Sequence, residues 1–308
     1  MSDLIDMVTA ELAQPAPPAV EVFAERLARD CPPALAVLFY GSALRTGDLD
    51  GVLDFYVLTE REPRRGLRGL ANRLLAPEVS YREVEIDGQP LRAKIATLTL
   101  RQFLRGAHGR RVDTTIWTRF AQPAALIWSR DPAAAEAARD AVAVCVATAA
   151  RFAAALGPEE AGPGDYWRAL FRRTYRAEFR VEAQGREDSL IGQHPGRYAA
   201  ILEPAWEAGG VPFARNADIL RPALGSHWRP RLRWGWMARQ ALGKPLNIAR
   251  LIKGAFTFDG AARYAAWKIE RHTGVDVPLT PWRERHPILA APGVLWRVGM
   301  ARRRGEGR

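Results

Sequence analysis

Two short apolar segments, each carrying one polar feature, most constrain how this chain can fold. The first runs from Leu35 to Tyr40 and stops abruptly at Gly41 and Ser42. The second covers residues 52–58, follows a loop rich in glycine and aspartate, and contains Asp54 inside an otherwise apolar run. Apolar segments of this length, bounded by turn residues, are typical of buried strands. We therefore expect two neighbouring strands of one sheet, with the glycine-serine pair close to the aspartate.

This layout is typical of nucleotidyltransferases. Glycine lets the backbone approach a triphosphate closely, and the Ser42 hydroxyl, the neighbouring amides and the adjacent Tyr40 can contact it. Asp54 can then hold Mg²⁺ against the α-phosphate, and a carboxylate in so apolar a strand is costly to bury without such a partner. The alternative is a tight turn and an aspartate that pairs locally. Gly-Ser pairs are common, so the two-strand pattern alone leaves both interpretations open.

Tyr56 stands where the general signature of this fold has a second carboxylate, two residues after the first. One interpretation is an inactive protein. The other is that a phosphate monoester acceptor, already ionised at neutral pH, needs no base to activate it, so one acid suffices. Glu83 and Glu85 share a strand face and are candidate replacement metal ligands, as are the loop acids Asp48 and Asp50, although all four are also typical surface acids. Lys94, flanked by strand-forming residues, is a candidate for neutralising the triphosphate or is a surface lysine.

The pattern along the chain predicts an α+β protein. Two helices precede the first strand, and a hairpin is expected at Asp87-Gly88, between alternating runs at 79–86 and 91–98. A last strand is expected at 124–128, and helices dominate afterwards. We expect a mixed sheet with flanking helices in residues 1–150, a basic helical domain in residues 151–290, and an amphipathic tail in residues 291–308.

Charge and tryptophan are concentrated in the second half of the chain. The net charge is +11, and no acidic residue lies between Ile219 and Phe258. Basic residues alternate there with Trp228, Trp234 and Trp236, a mixture that suits the headgroup zone of an anionic membrane, nucleic acid or a solvated basic surface. The tail repeats the pattern, and its candidate membrane contacts are Trp296, Arg302, Arg303 and Arg304. Asp3 and Asp6 argue against a secretory signal, and the alanine-rich stretch 132–156 carries too many charges for a membrane span.

Three blocks, taken in order, resemble the mitochondrial phosphatidate cytidylyltransferase family, the translocator assembly and maintenance type of CDP-diacylglycerol synthase. They are residues 39–43 with 53–55, residues 94–96 with Phe103, and residues 252–257 with Arg263, Tyr264 and Lys268. The resemblance implies a nucleotidyltransferase domain, a helical, winged-helix-like domain and a C-terminal membrane-touching helix, with CTP, Mg²⁺ and phosphatidate as ligands. The sequence departs from the family at Ala43, where glycine is usual, in its short connecting loop, and in showing no presequence pattern, so a bacterial-type relative in the cytoplasm is expected.

These observations predict transfer of CMP from CTP to phosphatidate by a peripheral enzyme on the cytoplasmic face of the membrane. Asp54 and Lys94 are the expected catalytic residues, and Asp54, Glu83 and Glu85 the expected Mg²⁺ ligands. The lipid phosphate is expected at Lys253 and at Arg176 and Arg180, which a helix would present on one face. Two alternatives stay open, namely a nucleotidyltransferase acting on nucleic acid or a small-molecule hydroxyl, and an inactive binding protein of the same fold.

Overall fold

The computed structural model describes residues 2–177, 186–225, 227–257 and 260–285, together with 289, 290, 292–294 and 296. Its centre is a five-stranded sheet in the order β3-β4-β2-β1-β5. The strands are β1 (Ala34–Tyr40), β2 (Val52–Thr59), β3 (Glu78–Ile86), β4 (Gln89–Thr99) and β5 (Ala124–Ser129). The β2–β4 pair is parallel and the other three pairs are antiparallel. The sheet is therefore mixed, which confirms the α+β class.

Helices flank this sheet and form most of the second half. Those of the first half are α1 (Ser2–Leu12), α2 (Pro18–Arg29), α3 (Ser42–Thr46), α4 (Gly66–Leu74), α5 (Leu100–Ala107), α6 (Thr115–Phe120) and α7 (Pro132–Leu156). The second half contains α8 (Pro163–Ala177), α9 (Arg186–Gln193), α10 (Pro195–Ala208), the hairpin β6 (Phe213–Asn216) and β7 (Ile219–Pro222), α11 (Trp228–Thr257), α12 (Ala261–Thr273) and α13 (Pro281–Arg285). None of the described helices is both long and apolar enough to cross a membrane.

Alternation along the strands separates two hydrophobic clusters. On β1, Phe39 faces the cluster that contains α2, where Phe23 stacks on Phe55 with ring centroids 5.5 Å apart. Leu38 faces the opposite cluster, which is built around α7. Because β2 alternates in the same way and Tyr56 belongs to the α7 cluster, Asp54 also lies on the α7 side of the sheet.

Local sequence signals account for several boundaries. Asp87 and Gly88 have φ angles of 51° and 75°, which both central residues of the expected tight hairpin require, and they connect β3 to β4. Thr99 and Gln102 form a capping box that begins α5, and the Asp131 side chain accepts a hydrogen bond of 2.7 Å from the Ala134 amide at the start of α7. The predicted hairpin is confirmed.

The second half is built on α7. Helices α8, α9 and α10 are followed by the β6–β7 hairpin, and Leu220 of β7 bridges to Ala161. The winged-helix-like character of this half stays a prediction. Residue 150, the expected domain boundary, lies inside α7, and the indole of Trp206 donates a 2.9 Å hydrogen bond to the Ala150 carbonyl. One buried cluster runs from Leu4 to Trp236. The division into domains stays a prediction.

Candidate active site

Gly41 lies against Asp54 at the end of β1. The preceding residue, Tyr40, is the direct neighbour of Asp54 across the β1–β2 pair. Gly41 has a φ of +101°, and a Cβ atom built on it would lie 2.9 Å from Asp54 Oδ2. Glycine is strongly favoured at this position, because a side chain would strain the backbone and press against the carboxylate. Ser42 follows, exposed, as the first residue of α3.

Lys94 is the direct neighbour of Asp54 on the other side, across the parallel β2–β4 pair. Both side chains are half-buried. Lys94 lies two residues before Ala96 in β4, so the two side chains share a face of the sheet. Because Ala96 belongs to the α7 cluster, Lys94 lies on the same face as Asp54. The structure therefore brings together five residues chosen from the sequence, namely Tyr40, Gly41, Ser42, Asp54 and Lys94.

Helix α12 forms a wall of this site that sequence reasoning missed. Its Tyr264 packs against Tyr81 of β3, the strand neighbour of Lys94, with ring centroids 5.3 Å apart. Burial, with a further contribution from the negative charge of Asp54, raises the pKa of Tyr264 above its ordinary value. Tyr264 therefore presents a neutral phenol on the Asp54 side of the sheet at physiological pH. The sequence resemblance included Tyr264 without giving it a role.

The same helix carries an aromatic and basic group beyond Tyr264. Trp267 stacks near Tyr264, with centroids 6.4 Å apart, and two guanidinium groups lie over its ring. Arg92 lies 5.8 Å and Arg271 5.2 Å from the Trp267 ring centroid. Arg271 also donates a 3.2 Å hydrogen bond to the carbonyl of Asp50, in the loop that leads to β2. Helix α12 is thus tied to β3 and to the loop that leads into the Asp54 strand.

Tyr56 occupies the position of the absent second acid, and its ring packs in a buried aromatic cluster. Its ring meets Phe120 edge-on at 5.0 Å, and burial raises the pKa of its phenol. Arg119 of α6 donates hydrogen bonds of 3.0 Å to the Tyr40 hydroxyl and 3.3 Å to the Tyr56 hydroxyl. Arg119 is another site-lining residue that the sequence did not predict, because nothing in the sequence of α6 indicates against which strands this helix packs.

The expected metal ligands Glu83 and Glu85 are both exposed. Glu83 accepts a 2.7 Å hydrogen bond from the Tyr81 hydroxyl and pairs with Arg92 at 3.3 Å. Within the described part of the chain, no three Asp, Glu, His or Cys side chains form a group that could hold a metal ion. Asp54 alone fits a Mg²⁺ ion that arrives with a triphosphate and takes one carboxylate from the protein, which is the usual binding mode of that ion. The described residues do not fit a site in which the protein supplies every ligand.

The residues assigned to the lipid phosphate are placed differently. Lys253 is buried and donates hydrogen bonds to the carbonyls of Leu75, at 2.8 Å, and Pro77, at 3.0 Å, which ties α11 to the segment between α4 and β3. Burial lowers the pKa of Lys253 to about 8. Arg176 lies on α8, but its side chain is not described and Arg180 lies outside the described residues. These assignments stay predictions.

The expected membrane contacts of the tail are only partly visible. Trp296 has 70% of its surface exposed. Arg302, Arg303 and Arg304 lie outside the described residues. Their contact with a membrane stays a prediction.

The Gly41–Asp54 contact thus lies at the end of β1 in the mixed sheet of an α+β fold. No protein-family model matches the chain, and no curated protein is similar to it in sequence. Among solved structures, the chain is similar to a nucleotidyltransferase-like protein from Exiguobacterium sibiricum 255-15, with 13% identity, a TM-score of 0.26, and coverage of 93% of this chain and 91% of the other. The two backbones do not superpose closely.

Proposed function

We propose that the protein transfers a cytidylyl group from CTP to phosphatidate, forming CDP-diacylglycerol and pyrophosphate. The observation that carries this proposal is the contact of Gly41 with Asp54, which puts a backbone without a side chain beside a half-buried carboxylate at the end of two strands. Such an arrangement can admit a polyphosphate to the backbone while the carboxylate takes up its divalent cation. The choice of CTP and phosphatidate comes from the sequence resemblance.

The absence of a second acid favours a phosphate acceptor. A hydroxyl acceptor must lose a proton during attack, and the buried phenol of Tyr56, with its raised pKa, is a poor base at neutral pH. A phosphate monoester has a second pKa of about 6, so it reaches the site already ionised. Its oxygen can attack without a base.

Each residue of the cluster has a role in this step. Ser42 and the backbone at Gly41 hold the triphosphate, and Lys94 and the neutral phenol of Tyr264 stabilise negative charge on the phosphates. An oxygen of the phosphatidate phosphate forms a bond to the α-phosphorus of CTP as the bond from that phosphorus to the β-phosphate oxygen breaks, and pyrophosphate leaves with the electron pair. Mg²⁺, held by Asp54 and the substrate oxygens, would neutralise phosphate charge when bound.

An assay of radiolabel transfer tests the proposal. Purified protein is incubated with CTP labelled at the α-phosphate, Mg²⁺ and phosphatidate in detergent, and labelled lipid is extracted. We expect Asp54→Asn to lower product formation by roughly 100-fold or more, since it removes the metal-binding charge. Asp87→Asn is the matched control, because Asp87 is exposed in the β3–β4 turn, where its positive φ suits asparagine.

The other candidate functions predict different results in the same assay. Label that appears on added RNA, DNA or a small-molecule hydroxyl and not on lipid would identify the acceptor as a hydroxyl. Equal lipid labelling by wild type and Asp54→Asn would remove Asp54 from the reaction. No transfer to any acceptor by folded wild-type protein would indicate an inactive binding protein.

A further inference from the structure

Helix α11 is apolar on two opposite sides. Trp236 is buried, with 2% of its surface exposed, and faces the α7 core. On the outward side, Trp234, Met237 and Ile248 are 69%, 55% and 49% exposed, and their spacing places them on one side of a helix with about 3.6 residues per turn. We call these residues the outward stripe of α11, and exposed apolar residues grouped on one side of a helix are candidates for an interaction site.

Every charged residue of α11 is basic. The helix is 30 residues long and contains no Asp or Glu. Its basic residues are Arg229, Arg231, Arg233, Arg239, Lys244, Arg250 and Lys253. Arg231 and Arg233 are exposed and lie three residues and one residue before the outward-facing Trp234, which places them on either side of it around the helix. The outward stripe is thus rimmed by positive charge.

Helix α4 repeats this combination. Leu67, Leu70 and Leu74 are 86%, 53% and 66% exposed, and they lie on one side of the helix. Arg65 and Arg73, beside this leucine row, are exposed too, and α4 contains no acidic residue. A helix whose leucines face water and whose charges are all basic has the composition of an interfacial membrane helix.

The two helices are joined through the segment that follows α4. Lys253 donates to the carbonyls of Leu75 and Pro77, and Arg250 donates a 2.7 Å hydrogen bond to the carbonyl between them, that of Ala76. Arg111 completes the junction with a 3.1 Å hydrogen bond to the Leu74 carbonyl. The end of α4 is therefore fixed against α11 by buried or half-buried cations.

We propose that α4 and the outward stripe of α11, the α4–α11 surface, dock the protein on an anionic membrane. Leucine, methionine and tryptophan enter the boundary between headgroups and acyl chains, and the arginines pair with lipid phosphates. A nucleic acid would use the arginines but gives the exposed leucine row no apolar partner. A second copy docked through the same surface would bring two basic faces together, which like-charge repulsion opposes.

Docking on the membrane would bring the enzyme to a substrate that resides in the bilayer. The purpose of docking therefore rests on the proposed function, whereas the docking itself does not. Binding to vesicles needs no CTP and no turnover. Asp54→Asn is therefore expected to bind vesicles like wild type even though it lacks activity. A wild-type protein that binds vesicles but transfers no nucleotide would refute the proposed function and leave the docking surface standing.

Vesicle flotation tests the surface directly. Full-length protein is mixed with vesicles of phosphatidylcholine alone or with phosphatidylglycerol added, and the floating fraction is measured. We expect wild type to prefer the anionic vesicles, and Leu67→Gln/Leu70→Gln/Leu74→Gln to weaken that binding by about tenfold or more. The matched control is Val22→Gln/Ile219→Gln/Leu279→Gln, which removes three exposed apolar side chains elsewhere and should bind like wild type.

Two further measurements keep the outcome decisive. Turnover of a short-chain, water-soluble phosphatidate should be unchanged in the leucine triple variant, and this result would show that the variant is folded. Turnover of phosphatidate embedded in vesicles should fall in the same variant, because its vesicle binding is weaker. Trp234→Gln/Met237→Gln should reproduce the binding defect from α11. The proposal is overturned if both variants bind anionic vesicles like wild type, if wild type floats equally with neutral vesicles, or if wild type binds only DNA or RNA.

Discussion

Gly41 determines the local geometry of the site through its missing side chain. In Gly41→Ala the new methyl group would lie 2.9 Å from Asp54 Oδ2 at a φ of +101°. We expect a stability loss of about 1–2 kcal/mol from the backbone conformation, together with a loss of nucleotide transfer as the carboxylate is displaced. Gly47→Ala separates the two effects, because Gly47 also has a positive φ, +73°, but has no atom within 4 Å of its added Cβ. It should lose comparable stability in urea unfolding and keep its activity, and a similar activity loss in both variants would contradict the account.

Lys253 gives stability a recognisable pH dependence. Burial lowers its pKa from 10.5 to about 8 in the folded protein, so between these values the unfolded chain binds more protons than the folded chain. Above pH 10.5 the amine is neutral in both states and its burial carries no charge penalty. As the pH falls from 10.5 to about 8 the penalty grows, and the free energy of unfolding decreases. The free energy of unfolding of wild type minus that of Lys253→Met should rise between these two values and be flat below them. A difference independent of pH would show that the ammonium is not penalised by burial.

Part of the site could be predicted from residues alone. Gly41 ends one apolar segment and Asp54 lies in the next, and the short connection between the segments favours their pairing as neighbouring strands. Tyr264 could not be assigned, because it is more than 200 residues from Asp54 in the sequence. A helix pattern shows which face of α12 is apolar, but it does not identify the strand against which that face packs.

Helix α12 begins at a close backbone contact with the sheet, in addition to its side-chain contacts with Tyr81 and Asp50. A Cβ atom on Gly260, which precedes the helix with a φ of +83°, would lie 2.5 Å from the Tyr81 carbonyl oxygen. We expect Gly260→Ala to shift α12 away from β3, and with it Tyr264, so that nucleotide transfer falls while the far-ultraviolet circular dichroism stays near that of wild type. Gly88→Ala is the control, since Gly88 has a positive φ and open space around it. Full activity in Gly260→Ala would show that the position of α12 does not matter.

The elements of the sheet differ in how well the sequence predicts them. The β3–β4 hairpin follows from Asp87-Gly88 between two alternating runs, because the turn alone fixes the register. The parallel pairing of β2 with β4 could not be predicted, since the intervening 60–88 contain α4 and β3, and nothing local determines which edge of β2 the returning strand occupies. That pairing is what places Lys94 beside Asp54.

At the scale of the molecule, the continuous buried cluster on both sides of α7 predicts cooperative unfolding. The Trp117 ring stacks on Phe152 at 5.1 Å, and Phe152 in turn contacts Trp236 of α11 at 6.0 Å, so the core crosses the expected boundary at residue 150. We expect circular dichroism and tryptophan fluorescence to report one coincident transition in urea. Two separated transitions would instead support independent domains on either side of that boundary.

Binding of nucleoside triphosphate tests the central claim most directly, because it probes the Gly41–Asp54 corner without assuming an acceptor. The measurement is the melting temperature of wild type and Asp54→Asn with each of the four ribonucleoside triphosphates and Mg²⁺. We expect CTP to raise the wild-type melting temperature by about 3 °C or more at saturating concentration, and to leave Asp54→Asn nearly unchanged. No rise with any triphosphate, or an equal rise in both proteins, would contradict the account.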